Sequence, residues 1–110
     1  MKFGKNKSII KTQAMDALSV EEIIEYYDSE IKGLKSSSGL VVGDISKHAA
    51  MRILERGITK QELLDVVLSA PMIYPGNEPD TICQQIKDLR IVFSSKTGKV
   101  ISLVRLEEDV

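Results

Sequence analysis

The segment at residues 46–69, SKHAAMRILERGITKQELLDVVLS, limits the possible folds more than any other part of the chain, because it fits two short helices joined at Gly57. Ser46 can cap the first helix by accepting backbone N–H hydrogen bonds, and glycine suits the left-handed turn that ends a helix. Thr59 and Glu62 have the spacing of a capping box that begins a second helix. The segment is therefore predicted to be a tight helical hairpin.

The first helix of this hairpin separates polar from apolar side chains. It carries the only histidine of the chain, His48, in its first turn. At 100° per residue, one arc of the helix holds four polar side chains, namely His48, Arg52, Glu55 and Arg56. The opposite side is apolar, with Ala50, Ile53 and Leu54. This pattern predicts that the apolar side faces a core and that the polar arc carries any chemistry.

Before the hairpin, the chain predicts one further helix and a flexible connection. Ser19 and Glu22 form a second capping box, and apolar residues follow at helical spacing until Gly33. A serine-rich stretch at 35–39 then marks a connection. We interpret residues 1–43 as an accessory segment with this one helix, preceded by a short helical turn at 12–18.

After the hairpin, the pattern changes to that of strands. Residues 72–74 are predicted to form an edge strand, and the runs at 81–86, 90–95 and 100–106 to form three consecutive antiparallel strands. Strict alternation in the last run places Ile101 on the same face as Leu103. We therefore predict an α+β fold, in which N-terminal helices pack on a small three- to four-stranded antiparallel sheet. Residues 44–110 hold the hairpin, the sheet and the candidate site, within one compact domain overall.

Composition excludes several classes of protein. The chain has 110 residues, 43% of them hydrophobic and 28% charged, and no apolar run approaches the roughly 20 residues of a membrane span. The single cysteine, Cys83, cannot form an internal disulfide and is predicted to be buried in a strand. Without clustered Cys and His residues we expect neither a metal nor another cofactor.

The net charge of −1 hides an uneven distribution along the chain. Residues 1–15 carry four lysines and no acids, residues 16–43 have a net charge of −4, and residues 44–105 have nine bases against seven acids. The part that contains His48 is therefore mildly basic. This balance suits a brief encounter with a polyanion, or an acidic protein partner, better than tight binding of nucleic acid.

Several motifs together resemble one known family. They are SKHAA at 46–50, ERGI at 55–58, Pro71, the pair Gln84-Gln85, and TGKVIS at 97–102. Over about residues 44–106 the chain resembles the ribonuclease toxin domains grouped as barnase, EndoU, colicin and RelE-like, which lie at the C-termini of contact-dependent inhibition and other bacterial polymorphic toxins. The chain departs from that pattern where Ile86 and Lys87 follow the glutamines, and where Ser102 replaces a threonine.

The resemblance implies a function and its partners. Such domains pair helices with a small antiparallel sheet and cleave RNA, often tRNA, without a metal. They act in the cytoplasm of a target bacterium, arrive as the C-terminal part of a larger secreted or surface toxin, and are neutralised by a cognate immunity protein. For this chain we expect an acidic immunity protein, because Lys47, Arg52, Arg56 and Arg90 are predicted to form a basic cluster.

Metal-independent cleavage needs a general base, a general acid and donors for the phosphate charge. Histidine can serve as acid or base near neutral pH, and arginine offers a planar fork of donors to a phosphate. The resemblance adds Ser102 to His48 and Arg52 as catalytic residues. The predicted substrate-binding residues are Lys47, Glu55, Arg56 and Gln85. Ser102 and Gln85 can contribute only if their strand faces point back to the helix.

Each of these residues also has a structural interpretation. A histidine in a first helical turn is commonly a solvated residue, and Glu55 can simply form a surface ion pair. The two glutamines alternate in a strand, so one of them must face away from the other. A non-catalytic protein-interaction module of the same fold is therefore the alternative function.

Overall fold

The computed structural model of the protein describes residues 19–106, and within them three helices precede four strands. The elements are α1 Val20–Glu30, α2 Lys47–Glu55, α3 Lys60–Leu68, β1 Met72–Pro75, β2 Thr81–Ile86, β3 Leu89–Ser94 and β4 Val100–Arg105. The strands form one antiparallel sheet in the order β1-β2-β3-β4. The α+β prediction is confirmed, whereas the helical turn predicted at 12–18 lies outside the described residues.

The predicted caps form as hydrogen bonds. Ser19 and Glu22 complete a capping box at the start of α1, and Thr59 and Glu62 complete another at the start of α3. The hydroxyl of Ser46 accepts the Ala49 N–H at 3.0 Å and so begins α2. Gly57, with φ of +59°, ends the turn after α2. Local sequence alone therefore determines where these helices begin and where α2 ends.

One face of the sheet carries the core. Along β3 the alternate residues Leu89, Ile91 and Phe93 are buried, as strict alternation requires. In β4, alternation fails: Val100 is fully buried and Ile101 is 37% exposed. The reason is a bulge, since Phe93 pairs with Val100 but Val92 pairs with Ser102. The prediction that Ile101 shares the face of Leu103 is therefore wrong.

All three helices contribute to this core. Ile23, Tyr27 and Ile31 from the α1 region lie in the same buried cluster as Ile53 of α2 and Leu103 of β4. Residues before position 44 thus share a core with those after it. The Tyr27 hydroxyl also donates to the Gly43 carbonyl oxygen at 2.7 Å, which satisfies its polar end inside the fold.

Backbone hydrogen bonds place the beginning of α2 beside β4. Gly43 N–H donates to the Gly98 carbonyl oxygen at 2.8 Å, and Val100 N–H donates to the Asp44 carbonyl oxygen at 2.8 Å. Ser46 N–H then donates to the Val100 carbonyl oxygen at 3.0 Å. The segment 43–46 therefore runs along the outer edge of the sheet. Its pairing determines where the first turn of α2, with His48, lies relative to β4.

Candidate functional site

Three of the predicted site residues meet on the surface of α2. Arg52 Nε donates to His48 Nε2 at 3.4 Å, and Arg52 Nη1 donates to Glu55 Oε1 at 2.6 Å. The spacings of four and three residues put these side chains on one helical face, as the sequence predicts. We call His48, Arg52 and Glu55 the α2 cluster.

The α2 cluster is open to solvent. His48 is exposed, and the side chains of Arg52 and Glu55 are 35% and 48% exposed. An ion pair in such a position is screened by water and contributes little to stability. Arg52 can therefore exchange Glu55 for the phosphate of a ligand at small cost. Glu55, in turn, holds the guanidinium beside His48 when no ligand is bound.

The two remaining α2 residues lie at opposite ends of the helix. Lys47 is exposed at the first helical position, near the positive end of the helix dipole. Arg56 is the C-cap, and its carbonyl oxygen accepts a hydrogen bond from Arg105 Nη2 at 3.4 Å. Lys47 is thus placed to attract an anion toward His48, whereas the main chain of Arg56 takes part in a structural contact with β4.

The two glutamines of β2 have opposite roles. Gln84 is fully buried, and its amide donates to the carbonyl oxygens of Val66 and Val67 at 2.9 and 3.0 Å. These hydrogen bonds give partners to backbone carbonyl oxygens at the C-terminal end of α3, which have none within the helix. Gln85 points to the other side of the sheet, where it accepts from the Tyr74 hydroxyl and donates to the Lys87 carbonyl oxygen. The glutamine that faces the helices is therefore structural.

Ser102 also points away from the helices. It pairs with Val92, which itself pairs with Cys83, so these three side chains form one row on the face opposite the core. We call this side of the sheet the open face, because no described helix packs on it; its residues are Tyr74, Cys83, Gln85, Arg90, Val92, Ser102 and Val104. Cys83 is buried, as predicted, and the other six are half-buried. The condition that Ser102 and Gln85 point back to the helix is not met. Arg90 likewise lies on the open face, apart from the arginines of α2.

Sequence analysis did not single out Arg105, although its side chain is the least exposed in the ion pairs described among residues 19–106. Its guanidinium binds Glu62 through two hydrogen bonds of 3.0 and 3.1 Å and lies 3.5 Å from Asp88. Its side chain is only 14% exposed. One signal was present in the sequence: alternation places Arg105 on the same face as Leu103, and an arginine facing a core requires a buried partner.

These contacts predict that stability depends on pH. Hydrogen bonds from Arg105 lower the pKa of Glu62 below its usual value, partly offset by burial. The pKa of Glu62 is lower in the folded protein than in the unfolded chain, where it is about 4.3. The carboxylate therefore stabilises the fold fully above the unfolded-state pKa, and this stabilisation is lost as pH falls through the folded-state pKa. Glu62→Gln should therefore lower the free energy of unfolding at pH 7, and the difference from wild type should shrink in acid. Urea unfolding of both proteins from pH 7 to pH 3 measures this difference in the free energy of unfolding.

Glu25→Gln is the matched control, since Glu25 is an exposed carboxylate on the outer side of α1. A difference between wild type and Glu62→Gln that stays constant over this pH range would contradict the prediction. In that case the glutamate would act through its position in the capping box rather than through its charge.

Within residues 19–106, no group of three or more His, Cys, Asp or Glu side chains is arranged to hold a metal ion. None of the helices in this range is long and apolar enough to cross a membrane. Comparison of the chain with protein-family models, curated proteins and solved structures gives no match in any of the three.

Proposed function

We propose that the chain is a metal-independent endoribonuclease, and the α2 cluster is the observation that carries this proposal. Phosphodiester cleavage requires a general base, donors for the phosphate charge and a proton source for the leaving oxygen. His48 supplies the base and Arg52 the donors, while Glu55 holds the guanidinium and solvent supplies the proton. These three side chains lie within hydrogen-bonding distance on one exposed helical face. The resemblance of residues 44–106 to ribonuclease toxin domains supports the same activity.

In this reaction His48 Nε2 takes the proton of an RNA 2′-hydroxyl, and the 2′-oxygen attacks the adjacent phosphorus. The bond from phosphorus to the 5′-oxygen breaks, and a 2′,3′-cyclic phosphate forms. Water protonates the leaving oxygen, and the hydroxide that remains takes the proton back from His48. Arg52 moves from Glu55 to the phosphate and stabilises its developing charge. Lys47, one residue before His48, attracts the backbone of the RNA. The substrate class is RNA, and tRNA is the first candidate.

The experiment that tests the proposal is an RNA cleavage assay in a chelator. Purified wild-type chain is incubated with total tRNA in excess EDTA, and the products are separated on a denaturing gel. We expect cleavage with 2′,3′-cyclic phosphate ends at an unchanged rate. Activity that disappears in EDTA and returns with added zinc or magnesium would overturn the metal-independent mechanism.

The proposal includes an inhibitor, because a toxin must be neutralised in the cell that makes it. An acidic immunity protein that covers the α2 cluster would block the proposed site and be attracted by Lys47 and Arg52. Arg52→Ala should slow its association and weaken the salt dependence of the rate, as measured by stopped-flow fluorescence. An inhibitor whose association rate is the same for wild type and Arg52→Ala, and does not change with salt, would bind elsewhere.

One observation favours the alternative, a non-catalytic protein-interaction module. The family resemblance assigns Ser102 and Gln85 to the site, but both side chains lie on the open face. They therefore do not join the α2 cluster on the other side of the sheet. Exposed Met51 on α2 would suit a protein partner. The two functions differ in one result: an interaction module leaves tRNA intact at every enzyme concentration tested.

A further inference from the structure

The open face of the sheet carries one charged side chain at its centre. Arg90 pairs across the strands with Gln85 on one side and Val104 on the other. Ser102 is its diagonal neighbour, about 7–8 Å away between Cα atoms. Around the guanidinium the open face is neutral, with aliphatic, hydroxyl, thiol and aromatic groups.

Arg90 differs from Arg52 and Arg105 in its partners. Arg52 and Arg105 each bind carboxylates, but Arg90 forms no ion pair with any carboxylate of residues 19–106. Its Nε is buried and makes no hydrogen bond. Burial raises the pKa of the Cys83 thiol, and the charge of Arg90 beside it partly offsets that rise. Gln85 is engaged at both ends of its amide, by Tyr74 and by Lys87. A half-buried guanidinium that pairs with no carboxylate among residues 19–106 is available to bind an anion.

The open face continues to the beginning of α2. The Ser46 hydroxyl donates to the Ile101 carbonyl oxygen at 3.2 Å, and the next residue, Ser102, points onto the open face. His48 lies two residues after Ser46 in the chain. A ligand that passes around the edge of β4 can therefore contact the first turn of α2, then Ser102 and then Arg90.

We propose that the open face binds the backbone of single-stranded RNA, with Arg90 as its principal phosphate contact, and that this RNA leads to the α2 cluster. The inference rests on the proposed ribonuclease function and extends it to the substrate. The positive charge of Arg90 complements phosphate. The ring of Tyr74 and the apolar Val104 suit bases, whose faces are exposed only in single strands.

The test measures binding separately from cleavage. The probe is a short fluorescein-labelled oligoribonucleotide with 2′-O-methyl groups, which lacks the attacking hydroxyl. Fluorescence anisotropy gives its affinity at several salt concentrations. Arg90→Gln should weaken binding roughly tenfold and reduce the salt slope by about one, as the loss of one phosphate contact predicts. Lys35→Gln, which removes one exposed charge outside the open face, is the matched control and should change affinity less.

A second variant adds a charge in place of removing one. Val92→Lys introduces a cation beside Ser102 on the open face and should strengthen binding and raise the salt slope. Wild-type chain that does not bind the probe, equal affinities of wild type and Arg90→Gln, or weaker binding by Val92→Lys would overturn the inference. Binding of polyglutamate that depends on Arg90, with RNA binding that does not, would also overturn it and identify an acidic protein as the occupant.

The outcomes also separate this inference from the proposed function. If Arg90→Gln binds the probe as wild type does while the wild-type chain cleaves tRNA in EDTA, the inference fails and the ribonuclease stands. If the probe binds through Arg90 but no RNA is ever cleaved, the proposed catalysis fails instead.

Discussion

His48→Ala should reduce tRNA cleavage by about 10²- to 10⁴-fold, the usual contribution of a general base. Arg52 and Glu55 remain on the helix in this variant, so binding of the phosphate is largely kept and the loss falls on the chemical step. The free energy of unfolding should change by no more than about 0.5 kcal/mol, because His48 is exposed. Single-turnover cleavage and urea unfolding measure the two effects.

Met51→Ala is the matched control for His48→Ala. Met51 lies on the same helix, is 41% exposed and belongs to no part of the α2 cluster. The Met51→Ala variant should cleave tRNA at the same rate as wild type. If His48→Ala retains full activity with a native fold, or loses it only because the protein unfolds, His48 is not the base and the alternative of an interaction module gains support.

Gly98→Ala should destabilise the fold by about 3 kcal/mol or more, the largest effect that we expect from a single methyl group here. Gly98 has φ of +75°, which an L-residue adopts at a cost of about 1–2 kcal/mol. A Cβ at this position would also overlap the carbonyl oxygen of Val41 and lie 3.0 Å from the Gly43 nitrogen. The hydrogen bond from Gly43 to Gly98 must then lengthen or break. Urea unfolding and thermal melting measure the loss.

Gly39→Ala separates the two contributions. Gly39 also has a left-handed φ, +91°, but a Cβ there would meet no atom within 4 Å. This variant should lose only about 1–2 kcal/mol, the cost of the backbone conformation. If both variants lose the same amount, the close approach of segment 41–43 to the β3–β4 turn does not contribute to stability.

Gly98→Ala also connects the fold to the proposed site. The segment 43–46 that pairs with Gly98 and Val100 leads directly into α2. A shift of this segment would move the first turn of α2 along β4. The variant should therefore lose cleavage activity at temperatures where circular dichroism still shows it folded.

The sequence determined those features that depend on neighbours along the chain. Caps and helix ends follow from residues three or four positions apart, so Ser19, Ser46, Thr59 and Gly57 act as predicted. The same local geometry brings His48, Arg52 and Glu55 together, because positions separated by three and four residues share one face of any α-helix. Alternation predicted the buried face of β3 for the same reason.

Only the tertiary structure decided which side of the sheet each β4 residue occupies, because a single bulge residue reverses the alternation and no local pattern marked it. It also decided that Gln84 faces the helices while Gln85, Ser102 and Arg90 face away, since alternation separates two faces without saying which of them the helices cover. The contacts of Arg105 with Glu62 and Asp88 join residues far apart in the chain. Such pairings depend on how helices and sheet pack, and spacing along the sequence carries no information about them.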